Sequence, residues 1–268
     1  MDVPCRGGMR LAAKIIAVAG KGGVGKTSVS AAVLRLLVQA HPEARILAID
    51  ADPAVGLSTA LGIEVTETLD DIRKSLSSDA TKTRPEELLA EARFRLFDSM
   101  VETRGFAFLA IGRPETAGCY CTVNGYLKEV ISLLAGEFDY VVIDGEAGIE
   151  QINRRVMEKV THLLLVTDQS RKGMQVIATI KRVADELVMY EKCGVVINRV
   201  TRPELVTDPG LAGAPVLAVI GADAQQTRND VRGLSVFALD GDSEVIKGAR
   251  QVLRKMIEDE DEEKRCTI

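Results

Sequence analysis

The fold of this chain is decided by the stretch Gly20-Lys21-Gly22-Gly23-Val24-Gly25-Lys26-Thr27, which matches the phosphate-binding pattern G-x-x-x-x-G-K-[ST] in full. The apolar run Lys14–Ala19 before it predicts a short buried strand, and the apolar periodicity of Ser28–Gln39 after it predicts a helix. Glycines let the backbone wrap a phosphate chain, and free N–H groups at the start of the helix face the anion. The motif and its strand–loop–helix context therefore predict a site for nucleotide phosphates.

Two side chains of this loop carry the expected chemistry. We expect Lys26 to reach the β- and γ-phosphates of ATP, and the Thr27 hydroxyl to bind Mg²⁺. The nucleotide itself is predicted to contact the loop and the first helical turn, namely Gly20, Gly22, Gly23, Val24, Gly25, Lys26, Thr27 and Ser28.

Acidic residues follow two further predicted strands. Arg45–Asp50 leads into Asp52, and the nearly apolar run Phe138–Asp144 leads into Gly148. Ligands bind at the carboxyl ends of parallel strands, so Asp50 and Asp144 are predicted near Mg²⁺. Asp52 is in place to position the water that attacks the γ-phosphate, and Gly148 to turn its N–H toward that phosphate. Capping or turn aspartates are the alternative for Asp50 and Asp52.

The strand predicted over residues 195–197 ends in Asn198 and Arg199. An asparagine amide at the end of a strand can pair with the edge of an adenine base, so these two residues are predicted to contact the nucleotide. An asparagine that only forms a turn is the alternative.

Cys119 and Cys121 lie one residue apart in a loop rich in glycine and proline, Gly112–Cys121. Two thiolates supply half of a four-sulfur site, which suits Zn(II), Cu(I), an iron–sulfur cluster or square-planar Ni(II). A two-fold axis near this loop would supply the pair twice. By itself the C-x-C spacing is also compatible with two packed cysteines that bind nothing.

Composition and pattern predict the class of the chain. Its 268 residues are 46% hydrophobic, enough for one large domain, and apolar strands alternate with helices. We therefore expect an α/β fold, a doubly wound and mostly parallel sheet with helices on both faces. Residues 55–104 are predicted to form a helical insertion at the sheet edge, with a helix starting at Pro85.

The ends of the chain and its charge limit the partners. We expect residues 1–8 to be a disordered extension, 9–258 a single ATPase domain and 259–268 an acidic tail. The net charge of −5 disfavours nucleic-acid binding, and no apolar run is long enough to span a membrane. Five cysteines without framework spacing fit a cytoplasmic protein.

Lys21 adds a second lysine to the phosphate loop, and the loop thereby resembles the deviant Walker A class. That class includes the septum-site ATPase MinD, the partition ATPase ParA and the nitrogenase iron protein. The resemblance implies a homodimer that encloses two ATP molecules, with each Lys21 touching the partner's nucleotide. It also implies catalysis by Lys21, Lys26 and Asp52, and adenine recognition by Asn198.

Within this class, the cysteine loop resembles that of CooC-type ATPases, which mature carbon monoxide dehydrogenase and its acetyl-CoA synthase relatives. The resemblance rests on Gly112-Arg113-Pro114-Glu115 and Gly118-Cys119-Tyr120-Cys121. It implies that Cys119 and Cys121 bind nickel, or zinc, across the dimer, and that the enzyme is the client. A positioning ATPase like MinD or ParA, and an iron–sulfur electron-transfer ATPase like the nitrogenase iron protein, are the alternatives. The acidic tail weighs against the first, and the absence of a cysteine from Asp144–Gly148 weighs against the second.

Overall fold

The structure is a computed structural model that describes residues 12–79, 85–112, 129, 131–147, 159–211 and 213–258. Several predicted features lie outside the described residues: the N-terminal extension, Cys119, Cys121, Gly148 and the acidic tail.

The described residues form one eight-stranded sheet, with strand order β3-β4-β2-β5-β1-β6-β7-β8. All neighbouring strands are parallel except β3 and β4, which pair antiparallel at one edge. The predicted mostly parallel sheet is therefore confirmed. Its strands are β1 (Lys14–Gly20), β2 (Ile46–Asp50), β3 (Val101–Glu102), β4 (Ala107–Ala110), β5 (Tyr140–Ala147), β6 (His162–Thr167), β7 (Lys192–Val200) and β8 (Val216–Gly221).

Helices cover both faces of the sheet, as a parallel sheet requires because it is apolar on both sides. They are α1 (Lys26–Ala40), α2 (Gly56–Leu61), α3 (Leu69–Asp79), α4 (Pro85–Asp98), α5 (Arg171–Leu187), α6 (Ala224–Arg232) and α7 (Glu244–Leu253), with 131–135 also helical. Buried side chains of α1, α2 and α7 belong to one apolar cluster, and those of α3, α4 and α5 to a second cluster across the sheet.

The segment between β2 and β4 is helical, and α4 begins at Pro85 as predicted. It is more than an insertion at the edge, because Ile72, Leu76 and Leu96 are fully buried or nearly so in the second cluster. Its helices form the crossover that connects β2 to its parallel neighbour β4. The two-residue strand β3, which the sequence did not predict, is added beyond β4.

The central strands β1 and β5 set the position of the site. In the pairing of β2 with β5, Asp50 is opposite Asp144, and in the pairing of β1 with β5, Val18 is opposite Asp144. The carboxyl ends of these strands therefore meet beside the loop that joins β1 to α1. In the part of the chain that the structure describes, no helix is both long and apolar enough to cross a membrane.

Candidate nucleotide-binding site

The phosphate loop has a backbone that requires glycine. Gly20 has φ +151°, and a Cβ atom placed on it would lie 2.0 Å from the carbonyl oxygen of Val166. Gly25, at the N-cap of α1, has φ +88°, and no side chain caps this end of the helix. Because the first N–H groups of a helix have no partner within it, this end of α1 is open to an anion.

Lys26 is a buried cation at the start of α1, with only 7% of its surface exposed. Its Nζ atom lies 3.4 Å from the carbonyl oxygen of Lys21, inside the loop. Burial lowers the pKa of Lys26, while the carboxylates of Asp144, Asp52 and Glu146 act in the opposite direction. A buried ammonium group that faces carboxylates across a glycine loop is suited to bind phosphate oxygens.

The second lysine of the loop, Lys21, forms an ion pair within the chain. Its Nζ atom lies 2.5 Å from Oδ2 of Asp168, which follows β6, and both side chains are about one quarter exposed. Burial alone would raise the pKa of Asp168, but hydrogen bonds from Lys21 and Ser170 hold it below its usual value. In this structure the Lys21 side chain is therefore paired with a carboxylate of its own chain.

Asp144, at the end of β5, is fully buried. Its Oδ1 accepts a hydrogen bond of 2.8 Å from the Ser30 hydroxyl, while its Oδ2 has no partner among the described residues. Burial raises the pKa of Asp144 to about 6, although the hydroxyls of Thr27 and Ser30 and the charge of Lys26 oppose the rise. Buried polar atoms normally have partners, so a carboxylate oxygen left over beside Thr27 fits a hard cation such as Mg²⁺.

Asp50 is also fully buried, but both its carboxylate oxygens are engaged. Oδ1 accepts from the backbone N–H of Asp52 at 3.1 Å, and Oδ2 from that of Leu57 at 2.8 Å. Burial, and then the charge of Asp144, raises the pKa of Asp50 to about 7. Asp50 therefore lies beside the predicted magnesium site, and its hydrogen bond with Leu57 holds the start of α2.

Asp52 lies in the turn after β2, where its Oδ1 accepts from the N–H of Ala54 at 2.9 Å. This is the turn contact that the alternative interpretation predicted. Asp52 is nevertheless close enough to raise the pKa values of both Lys26 and Asp144 by its charge. Farther along the same segment, a Cβ atom on Gly56 would lie 3.8 Å from Thr27 Oγ1. The segment after β2 therefore passes over Thr27, the predicted magnesium ligand.

Asn198 and Arg199 connect the end of β7 to the phosphate loop. Asn198, 4% exposed, donates from Nδ2 to the carbonyl oxygen of Val24 at 2.8 Å. Arg199, in a left-handed conformation with φ +56°, donates to the carbonyl oxygen of Gly23 at 2.7 Å. Both residues thus shape the loop, and recognition of adenine by Asn198 stays a prediction.

Sequence reasoning missed two residues of the site, Ser30 and Asp168. Ser30 follows Thr27 by three positions, so both lie on one face of α1. Asp168 follows β6 directly, at the same sheet edge as the other predicted ligands. Both signals were available in the sequence. Ser170 caps α5, since its hydroxyl accepts from the N–H of Gly173.

Among the described residues, no group of three or more His, Cys, Asp or Glu side chains could hold a metal ion. Cys119 and Cys121 lie outside those residues, so the nickel or zinc site stays a prediction.

Residues 15–236 match the family model described as "CobQ/CobB/MinD/ParA nucleotide binding domain". The chain belongs to this family. It is thus an ATP-binding P-loop protein of the MinD/ParA type.

Two relatives and one solved structure extend this result. An uncharacterized ATP-binding protein of Methanocaldococcus jannaschii is 35% identical over 91% of this chain and 98% of its own length. The carbon monoxide dehydrogenase accessory protein CooC of Rhodospirillum rubrum is 30% identical over 70% of this chain and 75% of its own. The septum site-determining protein MinD of Pyrococcus horikoshii, solved with Mg-ADP, is similar in fold, with a TM-score of 0.65 and 22% identity over 91% of this chain and 96% of that one.

Proposed function

We propose that this protein is a homodimeric ATPase that uses Mg-ATP binding and hydrolysis as a switch. The observation that carries the proposal is the buried Oδ2 of Asp144, which has no hydrogen-bond partner in the part of the chain that the structure describes and lies beside Thr27 and Lys26. Thr27 and Asp144 would hold Mg²⁺, whose charge would stabilise the transferring phosphoryl group. Lys26 would bind the β- and γ-phosphates, and Asp52 would orient the attacking water.

Lys21 connects this chemistry to assembly. In the proposed dimer each Lys21 contacts the partner's nucleotide, so it must first leave Asp168. A pair exposed to this extent contributes about 0.2–1 kcal/mol, which the contact with a phosphate easily exceeds. The ion pair with Asp168 would therefore hold Lys21 in place without preventing the switch.

We further propose that the switch binds nickel through Cys119 and Cys121 and assists nickel insertion into carbon monoxide dehydrogenase or acetyl-CoA synthase. The support is the C-x-C pair, the softness of its thiolates and the 30% identity to CooC of Rhodospirillum rubrum. ATP would favour the dimer and so bring the two cysteine pairs together, and hydrolysis would release the metal.

The test is equilibrium dialysis against Ni²⁺ under anaerobic, reducing conditions. We expect about one nickel ion per two chains, lost in Cys119→Ser/Cys121→Ser. The matched control is Cys193→Ala, because burial raises the pKa of this thiol to about 12 and leaves it 7% exposed. Nickel that stays bound to the double variant would refute the cysteine site.

The link to ATP needs a second measurement. Nickel affinity and dimerisation, followed by sedimentation, should respond to ATP in the wild-type protein and not in Lys26→Ala or Asp52→Ala. The same response in all three proteins would show that the metal site and the nucleotide site are not coupled.

Membership of the MinD/ParA family supports a second candidate, a positioning ATPase. Such a protein must bind a surface, either a membrane or DNA. ATP-dependent co-sedimentation with anionic liposomes or with DNA would favour it, and nickel binding without co-sedimentation would favour the maturation role.

A further inference from the structure

A basic groove of about 670 Å³ lies between the C-terminal end of α1 and helix α7. Of its apolar lining residues, Leu36 and Leu253 are almost buried, whereas Ala40 is exposed. Three cations line it, Lys247, Arg250 and Arg254, and no described carboxylate does. Since α1 has fifteen residues, the groove lies about 20 Å along the helix from the phosphate loop and is separate from the nucleotide site.

The positive charge of this basic groove is only partly compensated. Lys247 Nζ lies 2.9 Å from Oε1 of Glu244, one turn away on α7. Arg250 and Arg254 are exposed and form no ion pair within the described part of the chain. The C-terminal end of α1 supplies only about half a negative charge, too little to balance two guanidinium groups. The groove is therefore suited to an anionic segment.

The chain itself supplies such a segment. The helical turn Arg254–Glu258 is followed directly by Asp259-Glu260-Asp261-Glu262-Glu263, which we call the acidic segment. Along a helix, Glu258 lies about 12 Å from Arg250, and five extended residues span about 17 Å. The acidic segment is thus long enough to turn back and reach both arginines.

We propose that the acidic segment docks in the basic groove of its own chain. Its carboxylates would accept charge-assisted hydrogen bonds from Arg250 and Arg254, where the planar guanidinium groups suit carboxylates well. The attachment to α7 makes the contact intramolecular, so it forms at a high effective concentration.

Limited proteolysis of the full chain tests this proposal, because Lys264 and Arg265 follow the acidic segment. Intact-mass spectrometry measures how fast trypsin removes the residues after them, with a synthetic peptide of 258–268 as the unprotected reference. Docking predicts slower cleavage in the protein than in the peptide, and loss of that protection at high salt. Arg250→Glu/Arg254→Glu should raise the rate about fivefold, as expected when two or three surface ion pairs are lost.

Arg228→Glu/Arg232→Glu is the matched control, since these arginines are also exposed and four residues apart, on α6. It should leave the cleavage rate unchanged. Replacing the residues of the acidic segment by Asn and Gln should raise the cleavage rate, measured relative to a peptide with the same replacements. Combining these replacements with Arg250→Glu/Arg254→Glu should raise the rate no further. Cleavage as fast as in the peptide, equal effects of both arginine pairs, or protection that grows with protein concentration would each overturn docking within one chain.

Discussion

The two ends of helix α1 hold charge in opposite ways. At its N-terminal end, Lys26 and Asp144 are buried. Burial lowers the pKa of Lys26 and raises that of Asp144, and both shifts favour the neutral form of the group. At its C-terminal end, Arg250 and Arg254 are exposed, with no ion pair among the described residues. Buried charges interact strongly with a ligand that completes them, whereas exposed charges interact weakly and are screened by salt. The first end is therefore built for tight, specific ligands, and the second for a weak, reversible contact.

The largest expected effect is at the buried end. Lys26→Ala should reduce ATP hydrolysis by about 10³-fold, roughly 4 kcal/mol, because it removes a buried cation from the developing phosphate charge. Steady-state phosphate release measures this effect. Lys172→Ala, on the exposed face of α5, is the control and should retain wild-type hydrolysis. Activity within a few-fold of wild type in Lys26→Ala would contradict the assigned role.

The backbone of the same end should be nearly as sensitive. Gly20→Ala should reduce the free energy of unfolding by about 3 kcal/mol, since its Cβ would overlap the Val166 carbonyl oxygen and its φ is unfavourable. Gly233→Ala is the matched control, because Gly233 has φ +64° but open space around it. There the loss should be about 1 kcal/mol. Equal losses in urea denaturation would show that the close approach at Gly20 does not matter.

The third prediction concerns the buried carboxylate. Burial raises the pKa of Asp144 from 3.8 to about 6. Between about pH 4 and pH 6, therefore, this carboxyl group keeps its proton in the folded protein but has lost it in the unfolded chain. The contribution of Asp144 to the stability of the metal-free protein therefore falls as pH rises from about 4 to 6, and stays lower above. Asp144→Asn should raise the free energy of unfolding by about 2 kcal/mol at pH 8 and have little effect at pH 4.

Urea denaturation of metal-free protein at both pH values measures this difference, with the exposed Asp98→Asn as the control. Mg-ADP should then stabilise the wild type more than Asp144→Asn. A variant less stable than wild type at pH 8 would mean that the Ser30 hydrogen bond outweighs the cost of the buried charge.

A smaller effect is expected at the ion pair of Lys21. Asp168→Asn should change the free energy of unfolding by less than about 1 kcal/mol, because the pair is partly exposed. If Lys21 acts across the proposed dimer, the variant should strengthen ATP-dependent dimerisation a few-fold in sedimentation measurements. Asp185→Asn, which breaks the 2.8 Å pair with Lys181 on α5, is the control and should leave dimerisation unchanged. Identical behaviour of the two variants would remove Asp168 from the switch.

The smallest effect is expected at the exposed end. Arg250→Ala/Arg254→Ala should change the free energy of unfolding by less than about 0.5 kcal/mol, as is usual for exposed substitutions. Thermal denaturation measures it. A loss of 2 kcal/mol would mean that these arginines stabilise the fold, and would erase the contrast between the two ends of α1.

Local patterns were enough to predict much of this fold. The phosphate motif, the apolar strands and the start of α4 at Pro85 each depend on neighbouring residues. The contacts that were not predicted join distant residues: Lys21 with Asp168, and Asn198 with Val24. The strand β3 was missed because two residues carry no periodicity. Such contacts follow from strand order, which a single sequence does not encode in any local pattern.

The central position of β1 has a consequence for how the protein is made. The strand begins at Lys14, yet its two neighbours in the sheet begin at Tyr140 and His162. At about 5–20 residues per second, a ribosome needs on the order of 10 s to produce the first of them. During that interval an apolar strand with two open edges is exposed to solvent and to other nascent chains. The strand that leads into the phosphate loop is thus made first and completed late, and β1 is the place where chaperones would be needed most.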